Sequence, residues 1–178
     1  MAFITENYPG VHPEPNIATQ GFVLNHSMLR IKDPKIALDF YTRVMGMVVL
    51  RRLDFPEMQF SLYFLARPDP SKLIPEDVGE RTQWTFSQQS ILELTHNWGT
   101  ETQADFQYHD GNAKPQGFGH ICFAVPHLEQ AVAWFDANDV HFVKRPEQGK
   151  MKDVAFIKDP DGYWIEIVEP ARLKQLGR

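Results

Sequence analysis

Residues 22–46, FVLNHSMLRIKDPKIALDFYTRVMG, read as a strand followed by an amphipathic helix. The segment 22–31 is rich in apolar and β-favouring side chains, which predicts a strand. Three residues mark the ends of the helix: Asp33 is a suitable N-cap, Pro34 fits the first helical position, and Gly46 is typical of a helix end. Apolar side chains recur at helical spacing between these signals. The sequence then predicts three strands, at 47–55, 60–66 and 90–97.

The second half of the chain repeats this order. HICFAV at 120–125 predicts a strand, and HLEQAVAWFDAND at 127–139 predicts a helix. Three more strands are expected, at 141–145, 153–159 and 163–169. The last two strands are expected to form a hairpin, because the sequence Asp-Pro-Asp-Gly between them favours a turn.

The two halves align residue by residue at several points. When the sequence is aligned with itself at one fixed offset, His26 falls on His120 and Leu62 on Phe156. Glu93 falls on Glu166 only at a shorter offset. The difference between the two offsets indicates that the first half contains an insertion, near 67–87. The proline and glycine residues of this insertion predict a loop.

The predicted fold is α+β, with two βαβββ modules that form a curved mixed sheet. Pro9, Pro13 and Pro15 disfavour regular structure near the N-terminus, so an extended arm precedes the modules. The predicted segments are an arm at 1–21, a first module at 22–99, a linker at 100–115, a second module at 116–170 and a tail at 171–178. An exposed concave sheet face between two such modules is a natural ligand site.

Composition excludes several classes of function. The 178 residues include 18 Lys and Arg against 23 Asp and Glu, and this net charge of −5 disfavours a nucleic-acid partner. No apolar stretch is long enough for a membrane span, and no secretory signal is recognisable, so a cytoplasmic protein is expected. Cys122 is the only cysteine, which suits a reducing compartment, and we expect it to be a buried, inert residue of a strand.

Each half carries a histidine on its first strand and a glutamate on its last strand, namely His26 with Glu93 and His120 with Glu166. Either glutamate alone is read as a solvent-facing residue of a one-sided strand. Their internal symmetry favours a second interpretation, a metal site of two histidines and two carboxylates. Such a set suits zinc, nickel, cobalt or iron, which could polarise a substrate oxygen while a carboxylate moves protons.

Several motifs resemble the glyoxalase I (lactoylglutathione lyase) family of the vicinal-oxygen-chelate superfamily. They are NHSMLRIKDP, LDFYTRVMGM, FSLYFLA, LELTHNWGTE, GFGHICFAV, GKMK and IKDPDGYWIEI, and they extend from about Leu24 to Pro170. The resemblance implies the paired βαβββ fold and a homodimer with active sites between the subunits. It implies a metal bound by His26 and Glu93 of one chain and by His120 and Glu166 of the other.

The resemblance also implies a reaction. The family isomerises the hemithioacetal of glutathione and methylglyoxal to S-D-lactoylglutathione through an enediolate, and this detoxifies methylglyoxal. Glu166 is implied to be the base, with Glu93 as a second acid/base. The insertion and the proline-rich arm are similar to the long form of the family, which implies Zn²⁺, with Ni²⁺ or Co²⁺ as the alternatives.

Glutathione contacts follow from the same motifs. The resemblance implies Arg30 and Asn97 at the γ-glutamyl end, Lys150 and Met151 near the glycyl end, and His120 beside the substrate.

The chain departs from the long form at Gln116, where that form has an arginine. Lys144 and Arg145 are candidates to supply the missing positive charge.

Two other functions are consistent with the same fold. An extradiol-type dioxygenase requires two histidines and one carboxylate around iron(II), so a fourth protein ligand disfavours it. A non-catalytic ligand-binding protein needs no metal ligands, so metal content distinguishes it from an enzyme.

Overall fold

The computed structural model describes residues 9–12 and 14–175, and it contains two four-stranded sheets of the same topology. The first has the strand order β1-β4-β3-β2 and the second the order β5-β8-β7-β6. The strands are β1 His26–Ile31, β2 Val48–Phe55, β3 Phe60–Ala66, β4 Ile91–Asn97, β5 His120–Ala124, β6 Phe142–Lys144, β7 Val154–Lys158 and β8 Trp164–Val168.

In each sheet the first strand is parallel to the last, and the other neighbouring pairs are antiparallel. A helix follows the first strand in both halves. The α-helices are α1 Pro34–Asp39, α2 Val78–Ser87 and α3 Leu128–Ala137. This arrangement confirms the α+β fold with paired βαβββ units, and β7 and β8 form the predicted hairpin.

One hydrophobic core joins the two halves. Alternation along the strands directs one set of side chains from each sheet into it, including Leu29 of β1, Leu94 of β4 and Ile165 of β8. The helices α1 and α3 contribute Ala37 and Phe135 to the same core. The opposite faces of both sheets are therefore free to carry polar side chains.

Polar contacts also connect the halves. The indole Nε1 of Trp134 on α3 donates to the carbonyl of Val44, at 2.9 Å. The carboxylate of Asp161 accepts from the backbone nitrogen of Lys32 at 2.7 Å. These bonds orient the two sheets relative to each other.

The first strand and helix differ in detail from the prediction. β1 begins at His26, and Phe22 and Leu24 before it are exposed rather than paired in the sheet. Asp33 caps α1 as predicted, because its carboxylate accepts from the backbone nitrogen of Lys35. After Asp39 the helix continues as a π-helical turn at Phe40–Val44.

The insertion near 67–87 was predicted as a loop, and this prediction is wrong for its second half. Asp77 caps the ten-residue helix α2 by accepting from the backbone nitrogen of Glu80. The helix lies against the first sheet, over a small second core that consists of Leu50, Phe64, Ala66 and Ile91. Proline and glycine thus mark only the approach to the helix.

The two ends of the chain are described in part. Of the predicted arm, residues 1–8 and 13 lie outside the described residues, and the rest contains a short 3₁₀ helix at Ile17–Thr19. Of the predicted tail, 176–178 lie outside them, and Pro170–Gln175 form another 3₁₀ helix. None of the helices in the described part of the chain has the length and apolar character to cross a membrane.

Candidate metal centre

The first His–Glu pair lies on neighbouring parallel strands. Leu29 of β1 and Leu94 of β4 point into the core, so His26 and Glu93 lie on the opposite face. The Nε2 atom of His26 is 3.0 Å from Oε2 of Glu93. The hydroxyl of Thr95 donates to the other carboxylate oxygen, Oε1, at 3.0 Å. The Glu93 carboxylate is therefore buried with a hydrogen-bond partner, and one oxygen faces the histidine.

The second pair repeats this arrangement. His120 begins β5, Glu166 lies on the parallel strand β8, and their Nε2 and Oε2 atoms are 3.5 Å apart. Both side chains are partly exposed. The structure therefore brings His26 to Glu93 and His120 to Glu166, as the sequence symmetry requires.

An aromatic ring flanks each pair at the same relative position. Phe64 of β3 pairs with Glu93 in the sheet register, and Phe156 of β7 pairs with Glu166. The ring centroids of Phe64 and His26 are 5.8 Å apart, and those of Phe156 and His120 are 5.3 Å apart. The structural equivalent of Phe156 is thus Phe64, and the predicted match to Leu62 is wrong by two positions.

The spacing within each pair fits two neighbouring ligands of one metal ion. Two donors at about 2.1 Å from a metal, with an angle of about 90–109° between them, lie about 3.0–3.4 Å apart. The observed separation of 3.0 Å lies within this range, and that of 3.5 Å lies just above it. Imidazole nitrogen with carboxylate oxygen is also a donor set that zinc accepts.

Each pair brings together two candidate ligands. Within 9–12 and 14–175, no three His, Cys, Asp or Glu side chains lie close enough together to hold a metal ion. His26 and His120 nevertheless line one groove of about 750 Å³ between the edges of β1 and β5. The described part of the chain thus presents the four candidate ligands as two separate pairs beside one groove.

The residues implied for glutathione binding lie on exposed surfaces. Alternation places Arg30 on the same face as His26, and Asn97 on the same face as Glu93, towards the far ends of β1 and β4. The Asn97 amide donates to the hydroxyl of Tyr108 at 3.0 Å. Lys150 and Met151 are exposed in the loop between β6 and β7.

Lys144 and Arg145, the two candidates to replace the arginine that is absent at Gln116, both already have partners within the chain. The ammonium group of Lys144 donates to the carbonyls of Arg145, Met151 and Val154, at 3.2, 2.5 and 2.8 Å. Desolvation lowers its pKa. Arg145 forms an ion pair with Asp136. Neither cation is therefore available for a substrate carboxylate in this arrangement.

Cys122 corrects a further expectation, because it is exposed rather than buried. It pairs with Glu166 in the register of β5 and β8. Partial desolvation, together with the hydrogen bond and charge of Glu166, raises the pKa of its thiol to about 11. The thiol is thus protonated at neutral pH and can donate to the carboxylate.

Three residues that contact the first His–Glu pair were not predicted from the sequence, namely Thr95, Asn25 and Phe86. Thr95 could have been found, because it lies two residues after Glu93 and therefore on the same face. Asn25 and Phe86 gave no such signal. Phe86 lies in α2 and Asn25 is hydrogen-bonded to the end of α2, a helix that the sequence did not predict.

Comparison with known protein families agrees with this geometry. The family model described as the Glyoxalase/Bleomycin resistance protein/Dioxygenase superfamily matches residues 23–167. The chain belongs to this superfamily. Its members with similar sequences include a lactoylglutathione lyase of Pseudomonas aeruginosa, 56% identical over 178 residues, with 100% of this chain and 99% of that protein covered. One from Pseudomonas putida is 53% identical over 165 residues, with 93% and 95% covered.

Superfamily members of known structure are also similar to this chain. A glyoxalase I of Leishmania major, described as trypanothione-dependent, aligns with a TM-score of 0.63 and 29% identity, over 84% of this chain and 88% of that one. Glyoxalase I of Zea mays aligns with a TM-score of 0.61 and 25% identity, over 83% of this chain and 44% of that one.

Proposed function

We propose that the chain is a metal-dependent lactoylglutathione lyase, which isomerises the hemithioacetal of glutathione and methylglyoxal to S-D-lactoylglutathione. The observation that carries the proposal is the pair of matched His–Glu contacts, at 3.0 and 3.5 Å, on equivalent strands of the two sheets. The support from comparison is the 56% identity to a lactoylglutathione lyase over the whole chain. The reaction would detoxify methylglyoxal, and the cytoplasmic location stays a prediction.

The proposed metal is zinc, with nickel and cobalt as the alternatives. His26 and Glu93 of one subunit would hold it together with His120 and Glu166 of the partner subunit. When bound, the metal would polarise the substrate oxygens and stabilise the negative charge that develops on them. The proposed homodimer is supported by the incomplete ligand set of the single chain over its described residues.

Glu166 is the proposed base that takes a proton from one carbon of the substrate and returns it to the next. The two carboxylates differ in their surroundings. Glu93 is more deeply buried, and the Thr95 hydroxyl holds it. Glu166 is more exposed, and its neighbour is the weakly donating thiol of Cys122. The Glu166 carboxylate is therefore more accessible to the substrate, and Glu93 would act on the opposite face of the hemithioacetal.

The glutathione part of the substrate would extend along the sheet from the metal centre. Arg30 and Asn97 are the proposed partners of its γ-glutamyl end, because a guanidinium and an amide bind carboxylate well. Lys150 and Met151 are proposed near the glycyl end. His120 would contact the reacting part of the substrate as well as the metal.

A metal-reconstitution assay tests the proposal. Chelator-treated protein receives zinc, nickel, cobalt or no metal, and thioester formation from glutathione and methylglyoxal is followed by ultraviolet absorbance. We expect activity only with added metal, and the highest activity with zinc. Absence of activity with every metal would contradict the proposal and favour a dioxygenase or a binding protein.

A matched pair of variants checks where the metal binds. The His96–Glu101 contact, at 2.7 Å, is a second kind of His–Glu pair that involves no proposed ligand. Glu93→Gln should lose metal, whereas Glu101→Gln should retain it. Equal metal content in both variants would contradict the assignment of Glu93.

A further inference from the structure

The side chain of Asn25 has all its hydrogen-bonding groups engaged next to His26. Its amide nitrogen Nδ2 donates to the carbonyls of Thr85 at 3.0 Å and Gln88 at 2.7 Å. Its oxygen Oδ1 lies 2.7 Å from Nδ1 of His26. Because both amide hydrogens point at carbonyls, an oxygen faces the imidazole ring, and Nδ1 must carry the hydrogen between them. The other ring nitrogen, Nε2, is thereby directed towards Glu93.

The two carbonyls that Asn25 binds belong to the end of α2. The last carbonyls of a helix have few partners within the helix. The Thr85 carbonyl accepts one backbone hydrogen bond, from Gln88 at 3.2 Å. Asn25, which directly precedes β1, supplies a further donor to this carbonyl and one to the Gln88 carbonyl, so it caps the end of α2. Phe86 of the same turn packs edge-on against His26, with ring centroids 6.2 Å apart, and against Phe64 at 4.9 Å. The end of the insertion helix thus lies against one side of the imidazole ring of His26.

The second half-site has no such arrangement. The residue before His120 is Gly119, which has no side chain. No helix corresponds to α2 between β7 and β8, which are joined by a short turn. The contact between helix, asparagine and histidine is therefore a property of the first half-site, and it depends on the insertion.

We propose that Asn25 is a positioning residue, which fixes the imidazole of His26 for metal binding through Nε2 and couples that orientation to the insertion helix α2. The proposal rests on the proposed function in its assignment of His26 as a metal ligand. Hydrogen bonds from the second nitrogen of a ligating histidine orient the ring and raise its basicity. Loss of such a partner lowers metal affinity by about 10- to 100-fold.

The first test measures zinc affinity by competition with a chromophoric chelator. Asn25→Ala should bind zinc about 10- to 100-fold more weakly than the wild-type chain. The matched control is Asn138→Ala, because the Asn138 side chain is also hydrogen-bonded, to Arg43 and to the Trp134 carbonyl, but lies at the end of α3. Wild-type zinc affinity in Asn25→Ala would overturn the proposal.

The second test observes the hydrogen bond itself by nuclear magnetic resonance of the zinc-free chain. The Nδ1–H signal of His26 should be protected from exchange with water in the wild type and lost in Asn25→Ala. Asn25→Asp retains the acceptor oxygen but cannot donate to the two carbonyls. It should keep the Nδ1–H signal, while the backbone amides at the end of α2 exchange faster. Loss of the signal in Asn25→Asp to the same extent as in Asn25→Ala would overturn the proposal.

The two proposals fail in different ways. Absence of glyoxalase activity with every metal would contradict the proposed function, whereas the role of Asn25 is judged on zinc affinity and on the Nδ1–H signal.

Discussion

Tyr41 of the first half donates its hydroxyl hydrogen to Asp159 of the second half across 2.7 Å, and both side chains are buried. Asp159 also accepts from the backbone nitrogens of Asp161 and Tyr163 in the turn between β7 and β8. Burial raises the pKa of Asp159 from its ordinary value of 3.8 to about 7. The contact between the halves therefore contains a carboxyl group that titrates near neutral pH.

The contribution of Asp159 to the free energy of unfolding should decrease as the pH rises from about 4 to about 7. The pKa of Asp159 is higher in the folded chain than in the unfolded chain, so the folded chain binds the proton more tightly below pH 7. A single group of this kind contributes a slope of at most about 1.4 kcal/mol per pH unit. Burial also raises the pKa of Asp161, which acts in the same direction. Urea unfolding of the metal-free chain across this range measures the slope.

Asp159→Asn tests the assignment of that slope, because the amide does not titrate and the slope should become shallower. Tyr41→Phe should leave the carboxyl group without its hydroxyl partner and cost about 1–3 kcal/mol of stability. A slope in Asp159→Asn equal to that of the wild type would contradict the role of this carboxyl group.

Glu166→Gln should lower kcat by about 10²- to 10⁴-fold in the presence of saturating zinc, because the amide cannot accept the substrate proton. Binding of a non-reacting glutathione analogue should change far less, since only the transition state requires proton transfer. Steady-state kinetics and calorimetric titration give the two quantities. Wild-type turnover in Glu166→Gln would refute the assignment of the base.

Two inactive variants should restore activity when they form a heterodimer. If each site uses His26 of one subunit and Glu166 of the other, His26→Ala paired with Glu166→Ala combines both lesions in one site and leaves the other site intact. The purified heterodimer, isolated with two different affinity tags, should show about half of the wild-type activity. Each homodimer of a single variant serves as the control. An inactive heterodimer of confirmed composition would argue against shared sites.

Lys144→Met should raise KM for the hemithioacetal by about 5- to 30-fold, which corresponds to about 1–2 kcal/mol of binding free energy. Lys144 holds both ends of the loop that contains Lys150 and Met151, since it donates to the carbonyls of Arg145 and Val154. Loss of these bonds should loosen the loop without changing the reacting groups, so kcat should stay close to the wild-type value.

The control for this prediction is Lys152→Met, because the exposed Lys152 makes one hydrogen bond, to the carbonyl of Glu147. Its KM should differ little from that of the wild type. Faster hydrogen exchange across 145–153 in Lys144→Met alone would link the kinetic effect to the loop. A kcat effect larger than the KM effect would show that Lys144 acts on the reaction itself.

Local sequence patterns were sufficient to predict several of the elements that build the two modules. The strand FSLYFLA was predicted with the bounds of β3, and the helices α1 and α3 lie within the predicted ranges. Their apolar patterns, together with the Asp33 cap of α1, are signals that act over a few residues. The insertion helix α2 also has a capping residue, Asp77, but it was not predicted, because its low overall hydrophobicity leaves its position to a few contacts with the first sheet.

The sequence by itself determined the topology and the identity of the paired residues. The internal repeat predicted that His26 pairs with Glu93 and that His120 pairs with Glu166. The two halves have the same order of strands, which places equivalent residues on equivalent faces. Tertiary structure alone decided what surrounds them. Asn25, Phe86 and the partners of Lys144 depend on contacts between segments distant in the chain, and no local periodicity encodes such contacts. The cause is physical: hydrogen bonds and packing across the fold are set by where whole elements meet, whereas alternation and capping are set by neighbouring residues.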